Sequence, residues 1–427
     1  MTKLRFCLIN PPQANSLDDR LDAPLGLLYV AASVREMGIP VRIADLSSER
    51  RERWEGIIGD ADIYGIGIYT CNYYISREIR DICRKINPGA PVIAGGAHPT
   101  AMPEETLKDF DVVLRGEADI SIKKFIGDLG RGIHRKMYDF EPPPDLDELP
   151  LPARDLVDIK SYHRIVGGGL ATSIITSRGC PYRCAFCNSP GTFRSIKYRS
   201  SDSVIAEIEG IIKDHGIRNF IFYDDVFTLN RDRLYPFLER LESLNIKFRC
   251  NGRADYNRFE DFVRLKRAGC TTIAFGAETG DQGLLDRIQK DCTVEQNHAV
   301  IREAKRAGLI AKIYLIVGIP GETEDTIERT KQFIMKADPD EYTLFTLIPL
   351  PGSALWNERE RFGIRFITKD YNEFYNIAGQ GDGGMTIETD SYTMDKLKSM
   401  REDLKAFLAS RTWRGDVQRY FQKIEWR

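Results

Sequence analysis

The 427-residue chain is long enough for two or three domains, and its 42% hydrophobic and 29% charged residues are ordinary for a globular protein. A formal net charge of −2 excludes the basic excess of many nucleic-acid-binding chains, so we expect no nucleic-acid partner. No stretch approaches the roughly 20 apolar residues of a membrane helix, and the first apolar run is too short for a signal-peptide core. We therefore expect no membrane span.

Residues 1–140 alternate short apolar runs with helical patterns. The predicted strands cover residues 4–9, 41–44, 63–69, 91–94 and 112–114. Helical patterns cover residues 25–37 and 73–86, and a shorter one begins at Glu104. This alternation predicts an α/β domain with a doubly wound, Rossmann-like parallel sheet. Such sheets bind ligands beyond the carboxyl ends of their strands.

Glycines and small polar residues follow three of these strands. They are Thr70, Gly95, Gly96, His98, Thr100 and Glu117. A glycine pair lets the backbone approach a flat, bulky ligand, and a threonine hydroxyl can bind it. The same glycines are equally explained by ordinary turns in a nucleotide-type sheet.

Residues 141–165 begin with a proline-rich, acidic run over 141–154. Proline restricts itself and its preceding residue to extended conformations. We predict a stiff linker between two domains.

The alternation resumes over residues 166–352. Predicted strands cover residues 172–176, 220–223, 247–250, 272–276, 311–317 and 342–348, with helical patterns over 204–215, 231–244, 260–268, 295–307 and 323–335. Six such units predict a partial (β/α)6 barrel of the TIM type, whose reactive face lies at the carboxyl ends of the strands.

Cys180, Cys184 and Cys187 follow the first barrel strand with the spacing C-x3-C-x2-C, and Phe186 precedes the last of them. Three thiolates can hold three irons of a 4Fe-4S cluster and leave the fourth iron open to a substrate. A structural zinc site would require a fourth ligand, and no second cysteine pair follows. The other six cysteines are scattered without a paired framework, which indicates a reducing, cytoplasmic location.

Polar residues and a glycine turn also follow the later barrel strands. They are Asp224, Asp225, Arg253, Glu278 and Gly318. Any one of them is equally explained as a helix cap or turn residue. Their regular recurrence favours a ligand site with carboxylates, one guanidinium and an open backbone.

Residues 353–427 form a less regular region that we predict to be small and mostly helical, with helices over 394–408 and 414–423. Tyr371, Phe374 and Tyr375 precede a glycine-rich segment. These aromatic residues are candidates for substrate contact or for a lid, and ordinary packing explains them equally well.

The cysteine loop resembles the radical S-adenosylmethionine (radical SAM) superfamily, and the strand-end motifs resemble its cobalamin-binding, class B methyltransferase-like branch. The resemblance covers residues 1 to about 350. It implies that the open iron binds S-adenosylmethionine, that Asp224, Asp225, Arg253 and Glu278 lie near its methionine and ribose parts, and that Phe186 and Gly318 flank its adenine.

The resemblance also implies that Thr70 and the Gly95–Gly96 pair border cobalamin, with His98 beside its nucleotide tail. Thr100 and Glu117 belong to the same set. One departure is that no histidine precedes His98, so the loop after the first strand cannot supply an imidazole to cobalt.

We therefore favour a methyltransferase that adds a methyl group to an unactivated carbon of a small molecule, through a 5′-deoxyadenosyl radical and methylcobalamin. A one-electron reductase such as flavodoxin or ferredoxin would be its partner. The alternative is a cobalamin-dependent radical SAM cyclase, ring-rearranging or oxidative enzyme without methyl transfer. A transfer-RNA methylthiotransferase fits less well, because Cys7, Cys71 and Cys83 do not group into a second cluster motif. A carrier without catalysis would not need the strand-end polar set.

Overall fold

A computed structural model describes residues 4–13, 18–139, 145–189, 195–375 and 384–413. The chain divides into two compact units. The first unit comprises Met1–His163, Gly191–Arg199 and Asp370–Asn372, and the second comprises Arg164–Pro190, Ser200–Lys369 and Glu373–Arg427. Each is an α/β structure, as the sequence predicts. Every helix in the described ranges is too short or too polar to cross a membrane.

The first unit contains a parallel sheet with the strand order β2-β1-β3-β4-β5-β6 among its described residues. The strands are β1 (Phe6–Asn10), β2 (Val41–Asp45), β3 (Ile63–Gly67), β4 (Val92–Gly95), β5 (Val112–Leu114) and β6 (Met137–Tyr138). The helices are α1 (Leu25–Glu36), α2 (Arg51–Ile58), α3 (Tyr73–Ile86), α4 (Ala97–Ala101), α5 (Pro103–Thr106) and α6 (Ala118–Gly130). The Rossmann-like prediction is confirmed, although α2, α6 and β6 were not predicted.

Helices cover both faces of this sheet because successive strand residues point to opposite sides. Phe6 and Leu8 pack into a core with residues of α1 and α6. The intervening Cys7 faces the other way, and its Sγ donates to the Ile58 carbonyl of α2 at 3.6 Å. Strand order changes direction at β1, which is the position where doubly wound sheets bind ligands.

The second unit contains a sheet with the order β15-β14-β13-β12-β11-β8-β7 among its described residues. These strands are β7 (Ile165–Val166), β8 (Gly169–Ile174), β11 (Asn219–Phe222), β12 (Lys247–Gly252), β13 (Cys270–Glu278), β14 (Ile310–Val317) and β15 (Glu341–Thr346). Two short strands, β9 (Ser177–Arg178) and β10 (Lys197–Tyr198), lie outside this sheet. The strands from β8 to β15 pair in parallel, which confirms the six-stranded partial barrel.

Helices alternate with these strands. They are α7 (Ser201–His215), α8 (Arg231–Glu242), α9 (Phe259–Arg267), α10 (Gln282–Arg287), α11 (Val294–Arg306) and α12 (Glu324–Ala337). Their boundaries follow local chemistry. For example, the Thr293 side chain accepts from the backbone N–H of Gln296, and the Gln296 side chain accepts from the backbone N–H of Thr293. This reciprocal pair is a capping box that begins α11.

The first barrel strand begins earlier than predicted. Residues 165–170 form an antiparallel hairpin in which Val166 pairs with Gly169 across the two-residue turn Gly167–Gly168. Both turn glycines have positive φ, as the tight turns that fit twisted strands require. The pair Gly167–Gly168 is a typical hairpin-turn signal, which the prediction of a first strand at residues 172–176 missed.

The C-terminal region contains a short α13 (Ala354–Asn357), an antiparallel pair of β16 (Ile364–Ile367) and β17 (Ile387–Thr389), and α14 (Met394–Ala409). Helix α14 confirms the prediction over residues 394–408, whereas the strand pair was missed. The predicted helix over 414–423 and most of the glycine-rich segment lie outside the described residues.

Candidate cluster and cofactor sites

The three cysteines lie on a loop that the rest of the second unit fixes at its centre. The Ala185 N–H donates to the Ile288 carbonyl at 2.8 Å, and the Ala185 carbonyl accepts from the Leu355 N–H at 3.0 Å. A third backbone bond, from Cys187 N to the Cys184 carbonyl at 3.0 Å, tightens the loop itself. Three backbone hydrogen bonds therefore fix the position and shape of the cysteine loop.

The thiols face donors that suit sulfur ligated to a metal. The Arg253 Nη1 donates to Cys184 Sγ at 3.8 Å, and the Ser189 N–H donates to Cys187 Sγ at 3.4 Å. Burial raises the pKa of Cys180 and raises the pKa of Cys187 to about 12, so a metal must displace the thiol protons. In the described ranges, no three His, Cys, Asp or Glu side chains lie close enough together to hold a single metal ion. Three thiolates with the spacing C-x3-C-x2-C can each bind a different iron of a cluster.

Asp224 lies at the end of β11 and is buried. Its carboxylate accepts from the Thr176 N–H at 3.1 Å, from Thr176 Oγ1 at 2.7 Å and from Ser177 Oγ. These donors begin the segment that leads from β8 into the cysteine loop. Asp224 therefore fastens the loop to β11, and its place near S-adenosylmethionine, which the resemblance implies, stays a prediction.

The neighbouring Asp225 is exposed and accepts from Ser189 Oγ at 2.8 Å. Desolvation raises the pKa of its carboxyl group, and the hydrogen bond from Ser189 opposes this rise. Asp225 is thus the carboxylate of this pair with capacity for a further partner.

Arg253 is buried beside the cysteine loop, where its guanidinium lies 3.4 Å from the centre of the Tyr182 ring. Its Nε donates to Asp255 at 2.8 Å, and its Nη2 donates to the Lys290 carbonyl at 2.5 Å. The guanidinium is thereby fixed in orientation next to a cluster ligand. Tyr182 lies within the cysteine motif, but nothing in its spacing marks it as the ring beneath Arg253.

Glu278 forms a buried ion pair with Lys290 at 2.6 Å. Burial lowers the pKa of Lys290, but the charge and hydrogen bond of Glu278, together with Cys184, outweigh this effect, so that the pKa of Lys290 is raised. Lys290 Nζ also lies 5.8 Å from the centre of the Phe186 ring. Sequence reasoning missed Lys290, which stands in a loop rather than directly after a strand.

Glu278 has a φ of 60°, which is strained for a residue with a side chain. Gly276 makes room for the pair, because a Cβ there would lie 2.2 Å from Glu278 Oε1 and 2.5 Å from Lys290 Nζ. The strand end is therefore shaped around this ion pair.

The turn after β14 contains Gly318, whose φ is 96°. Its N–H donates to Glu322 Oε2, and its carbonyl accepts from the Tyr392 hydroxyl. Glu322 is buried, and burial raises the pKa of its carboxyl to about 8 although backbone N–H groups oppose the rise. Glu322 shapes the turn that was predicted to flank adenine.

Glu322 gives a testable pH dependence. Its folded pKa of about 8 lies above the ordinary 4.5, so the folded state retains a proton that the unfolded state has released. This contribution is fully present below about pH 4.5 and is lost as the pH rises to about 8. At roughly 1.4 kcal/mol per pKa unit, stability should fall by a few kcal/mol across this window.

Glu322→Gln, which mimics the neutral carboxyl, should flatten this decline in urea unfolding measured from pH 5 to 8. Glu324→Gln is the control, because Glu324 is exposed and should leave the slope unchanged. Equal slopes in wild type and Glu322→Gln would refute the assignment.

In the first unit, Thr70 and His98 lie together at the carboxyl ends of β3 and β4. The His98 Nδ1 is 3.2 Å from Thr70 Oγ1, and the imidazole lies 4.3 Å from the Tyr73 ring, centre to centre. Burial lowers the pKa of His98 to about 4, so its ring is neutral near pH 7. Its Nε2 is buried without a hydrogen-bond partner among the described residues.

The glycine pair lies on the same edge. Gly96 has a φ of 110°, and its carbonyl accepts from Thr100 Oγ1 at 2.7 Å. Thr100 Oγ1 accepts in turn from the Gly116 N–H at 2.9 Å, next to Glu117 at the start of α6. Gly95, Gly96, Thr100 and Glu117 thus belong to one continuous edge of the sheet.

Gly96→Ala should destabilise the protein by about 2–4 kcal/mol, from backbone strain and overpacking. The added Cβ would lie 2.7 Å from the Ile68 carbonyl oxygen, and φ is unfavourable for alanine. Gly127→Ala in α6 meets open space and should be neutral or slightly stabilising. Urea denaturation of both variants checks this, and equal effects would contradict it.

The aromatic candidates fall in different units. Tyr371 belongs to the first unit, where its hydroxyl donates to Glu105 at 3.0 Å and its ring lies 5.0 Å from that of His98. Phe374 is buried in the second unit 6.0 Å from the Trp356 ring, and Tyr375 is half-buried. Their predicted contact with substrate stays a prediction.

Comparison with known proteins follows the same division of the chain. The family described as the radical SAM superfamily matches residues 174–334, and the B12 binding domain matches residues 23–125. An uncharacterized methyltransferase of Pyrococcus horikoshii is 33% identical over 387 residues, with 83% of each chain covered. The chain belongs to the cobalamin-dependent radical SAM methyltransferase family.

One further relative in sequence and one solved structure are also similar to this chain. The anaerobic magnesium-protoporphyrin IX monomethyl ester cyclase of Rubrivivax gelatinosus is 29% identical, over 70% of this chain and 58% of that protein. The structure of the radical SAM methyltransferase TsrM from Kitasatospora setae, with cobalamin and a 4Fe-4S cluster bound, has a TM-score of 0.71. That likeness, at 17% identity over 95% of this chain and 89% of TsrM, concerns the fold alone.

The family member's own residues fit its cofactors. Sulfur-directed donors surround the cysteine loop, and the unpartnered His98 Nε2 lies at the edge where the B12 binding domain carries its glycine pair. The 4Fe-4S cluster, S-adenosylmethionine and cobalamin predicted from the sequence are thus confirmed as its cofactors. As a radical SAM enzyme it acts on a small molecule and requires a reductant.

Proposed function

We propose that the protein methylates an unactivated carbon of a small molecule in a radical reaction. The observation that carries this is the joint presence of a cysteine loop that leaves one cluster iron without a protein ligand and a B12 binding domain with its glycine pair. The 33% identity to a methyltransferase supports it. When bound, the cofactors supply an electron, a 5′-deoxyadenosyl radical and a methyl group.

The chain's own residues bind and orient these groups. Cys180, Cys184 and Cys187 would hold the cluster. Arg253 would orient the Cys184 thiolate through its hydrogen bond to the sulfur. Asp225, Glu278 and the Gly318 turn, with Phe186, are the proposed contacts of S-adenosylmethionine. We also propose that Asp224 lies near S-adenosylmethionine, because it fastens the cysteine loop that would hold the cluster.

For cobalamin we propose the edge formed by Thr70, Gly95, Gly96, His98, Thr100 and Glu117. Because His98 is neutral near pH 7, it would bring no charge to this edge. We propose Tyr371, Phe374 and Tyr375 for the substrate. We also keep the domain limits 1–140, 141–165, 166–352 and 353–427.

We propose flavodoxin or ferredoxin as the reductant and the cytoplasm as the compartment. The support for a reducing compartment is that none of the nine cysteines, all within the described ranges, forms a disulfide. The sulfur atoms of Cys250 and Cys270 lie 4.0 Å apart without being bonded.

The test is anaerobic reconstitution with iron, sulfide and hydroxocobalamin, followed by reduction with S-adenosylmethionine. Formation of 5′-deoxyadenosine together with S-adenosylhomocysteine, the second only with bound corrinoid, is the expected result. Deoxyadenosine without S-adenosylhomocysteine would favour the second candidate, a non-methylating enzyme, which the likeness to a protoporphyrin ester cyclase keeps open. Failure to bind corrinoid would contradict the assignment of the first unit.

A further inference from the structure

The barrel-like sheet of the second unit has two chemically different faces. Its helix-facing residues are apolar: Phe222 packs against Phe237 of α8, and Phe275 packs against Phe262 of α9, with ring centres 6.1 and 6.0 Å apart. The alternate residues form what we call the inner face. Its members on β12 to β15 include the polar residues Arg249, Asn251, Thr272, Lys312, Tyr314, Glu341 and Thr343, the small residues Ala274 and Gly276, and the apolar residues Ile310, Ile316 and Phe345. Closed barrels usually fill this face with branched apolar side chains.

A hydrogen bond crosses the inner face. Arg249 Nη2 on β12 donates to the Tyr314 hydroxyl on β14 at 2.9 Å. These strands are not neighbours, because β13 lies between them. On β13, Thr272 pairs in register with Arg249 and Gly276 pairs with Tyr314. Between these two positions β13 presents Ala274, and the small side chains of Ala274 and Gly276 leave room for the bond.

Charge is concentrated in this place without matching partners. Arg249 is 8% exposed, and its Nε has no hydrogen-bond partner among the described residues. Lys312 is 3% exposed, and its ion-pair contact with Glu341 Oε2 is 3.8 Å long, beyond hydrogen-bond reach. Glu341 Oε2 is likewise without a hydrogen-bond partner in the described ranges.

The charged groups that act on Lys312 are Arg249, Glu341 and Arg164, two cations and one carboxylate. Burial and Arg249 lower the pKa of Lys312 to about 7, against the opposing effect of Glu341. Buried cations are costly unless an anion neutralises them and accepts their hydrogen bonds. Glu341 alone does not do this for both Arg249 and Lys312.

We propose that Arg249 and Lys312 form an anion-binding subsite on the inner face, which takes a carboxylate or phosphate group of the substrate. The identification of the bound anion as part of the substrate rests on the proposed function, whereas the anion-binding site itself does not. A guanidinium and an ammonium suit oxyanions of either kind.

The subsite is connected to the reactive end of the sheet. The Tyr314 hydroxyl donates to Asn251 Oδ1 at 3.4 Å, and Asn251 Nδ2 donates to the Asp224 carbonyl at 3.2 Å. Arg249 lies three residues before the end of β12 at Gly252, roughly 10 Å at about 3.3 Å per residue. Lys312 lies five residues before the end of β14 at Val317, roughly 16 Å by the same measure. The substrate would therefore carry its anionic group on the order of 10 to 16 Å from the strand ends.

The test measures thermal unfolding of the reconstituted protein while inorganic phosphate or, separately, acetate is titrated at constant ionic strength. A ligand that binds the folded state raises the unfolding temperature in a saturable way. In wild type, we expect saturation with at least one of the two anions, and the tighter anion distinguishes phosphate from carboxylate. In Lys312→Met and Arg249→Gln, half-saturation should need at least tenfold more anion, with Arg249→Lys in between.

The matched controls are Arg302→Gln and Lys336→Met, which remove cations from a basic surface pocket on α11 and α12. They should respond as wild type does, including the general stabilisation that phosphate gives to folded proteins. Loss of saturation in these controls, equal half-saturation in all variants, or no saturation in wild type would overturn the proposal.

Two further measurements distinguish loss of anion binding from misfolding of a variant, and failure of the subsite proposal from failure of the proposed function. Arg249→Lys keeps the charge and guards against an unfolded Arg249→Gln, and the unfolding temperature without anion reports folding directly. The titration needs no methyl transfer. If anion binding follows the expected pattern but no S-adenosylhomocysteine forms, the subsite stands and the methyltransferase proposal fails.

Discussion

Asp224→Asn is expected to destabilise the protein by about 3–5 kcal/mol and to reduce the iron retained after reconstitution by more than half. The buried carboxylate accepts hydrogen bonds from Thr176 and Ser177 at the base of the cysteine loop. An asparagine offers one oxygen, and its NH2 group would face donors. Urea unfolding and iron analysis measure the two effects.

Asp225→Asn is the matched control, because it makes the same chemical change one residue away. Asp225 is exposed and has a single hydroxyl donor, Ser189, in the hydrogen bonds described above. We expect a change within about 1 kcal/mol and unchanged iron content. If Asp225→Asn cost as much as Asp224→Asn, the loop-fastening role of Asp224 would be wrong.

Lys290→Met is expected to cost about 3–5 kcal/mol, because it leaves the Glu278 carboxylate buried without its partner. Glu278 also holds a strained backbone, so its side chain should shift and weaken the binding of S-adenosylmethionine at least tenfold. Unfolding in urea and equilibrium dialysis of the reconstituted protein with S-adenosylmethionine measure these effects.

The double variant Lys290→Met/Glu278→Gln separates the pair from its surroundings. Removing both charges should recover most of the stability that Lys290→Met loses, since a neutral pair needs no burial of charge. The binding of S-adenosylmethionine should stay weak. Additive losses in the double variant would show that the two side chains are not energetically coupled.

Much of the architecture was predictable, because the spacing of apolar residues along the chain and the residue types of each segment indicate directly which side chains are buried. The predicted helix over 73–86 is α3, and the strand over 112–114 is β5. The cysteine motif was equally plain, since its ligands are local in sequence. Strand ends were less certain: the strand predicted to reach Tyr69 ends at Gly67, because a short 3-10 helix begins at Thr70.

The site was less predictable where function depends on distant partners. Lys290 follows Glu278 by 12 residues, and only the folded loop brings the two side chains together. Asp224 and Asp225 look alike in sequence, but one is buried among donors and the other is exposed. By contrast, Arg249 and Asn251 alternate with the apolar residues Phe248 and Cys250 along β12, a local sequence signal of a polar inner face that the prediction missed.

The backbone hydrogen bonds at Ala185 and the carboxylate of Asp224 have a consequence for the enzyme's response to oxygen damage. They hold the cysteine loop through Ile288, Leu355 and Thr176, none of which is a metal ligand. We expect a loop anchored in this way to keep its position when its iron is lost, unlike small domains that fold only around their metal. Oxygen damage would then be repaired in place, by reinsertion of iron and sulfide into a standing loop, without unfolding and resynthesis of the chain.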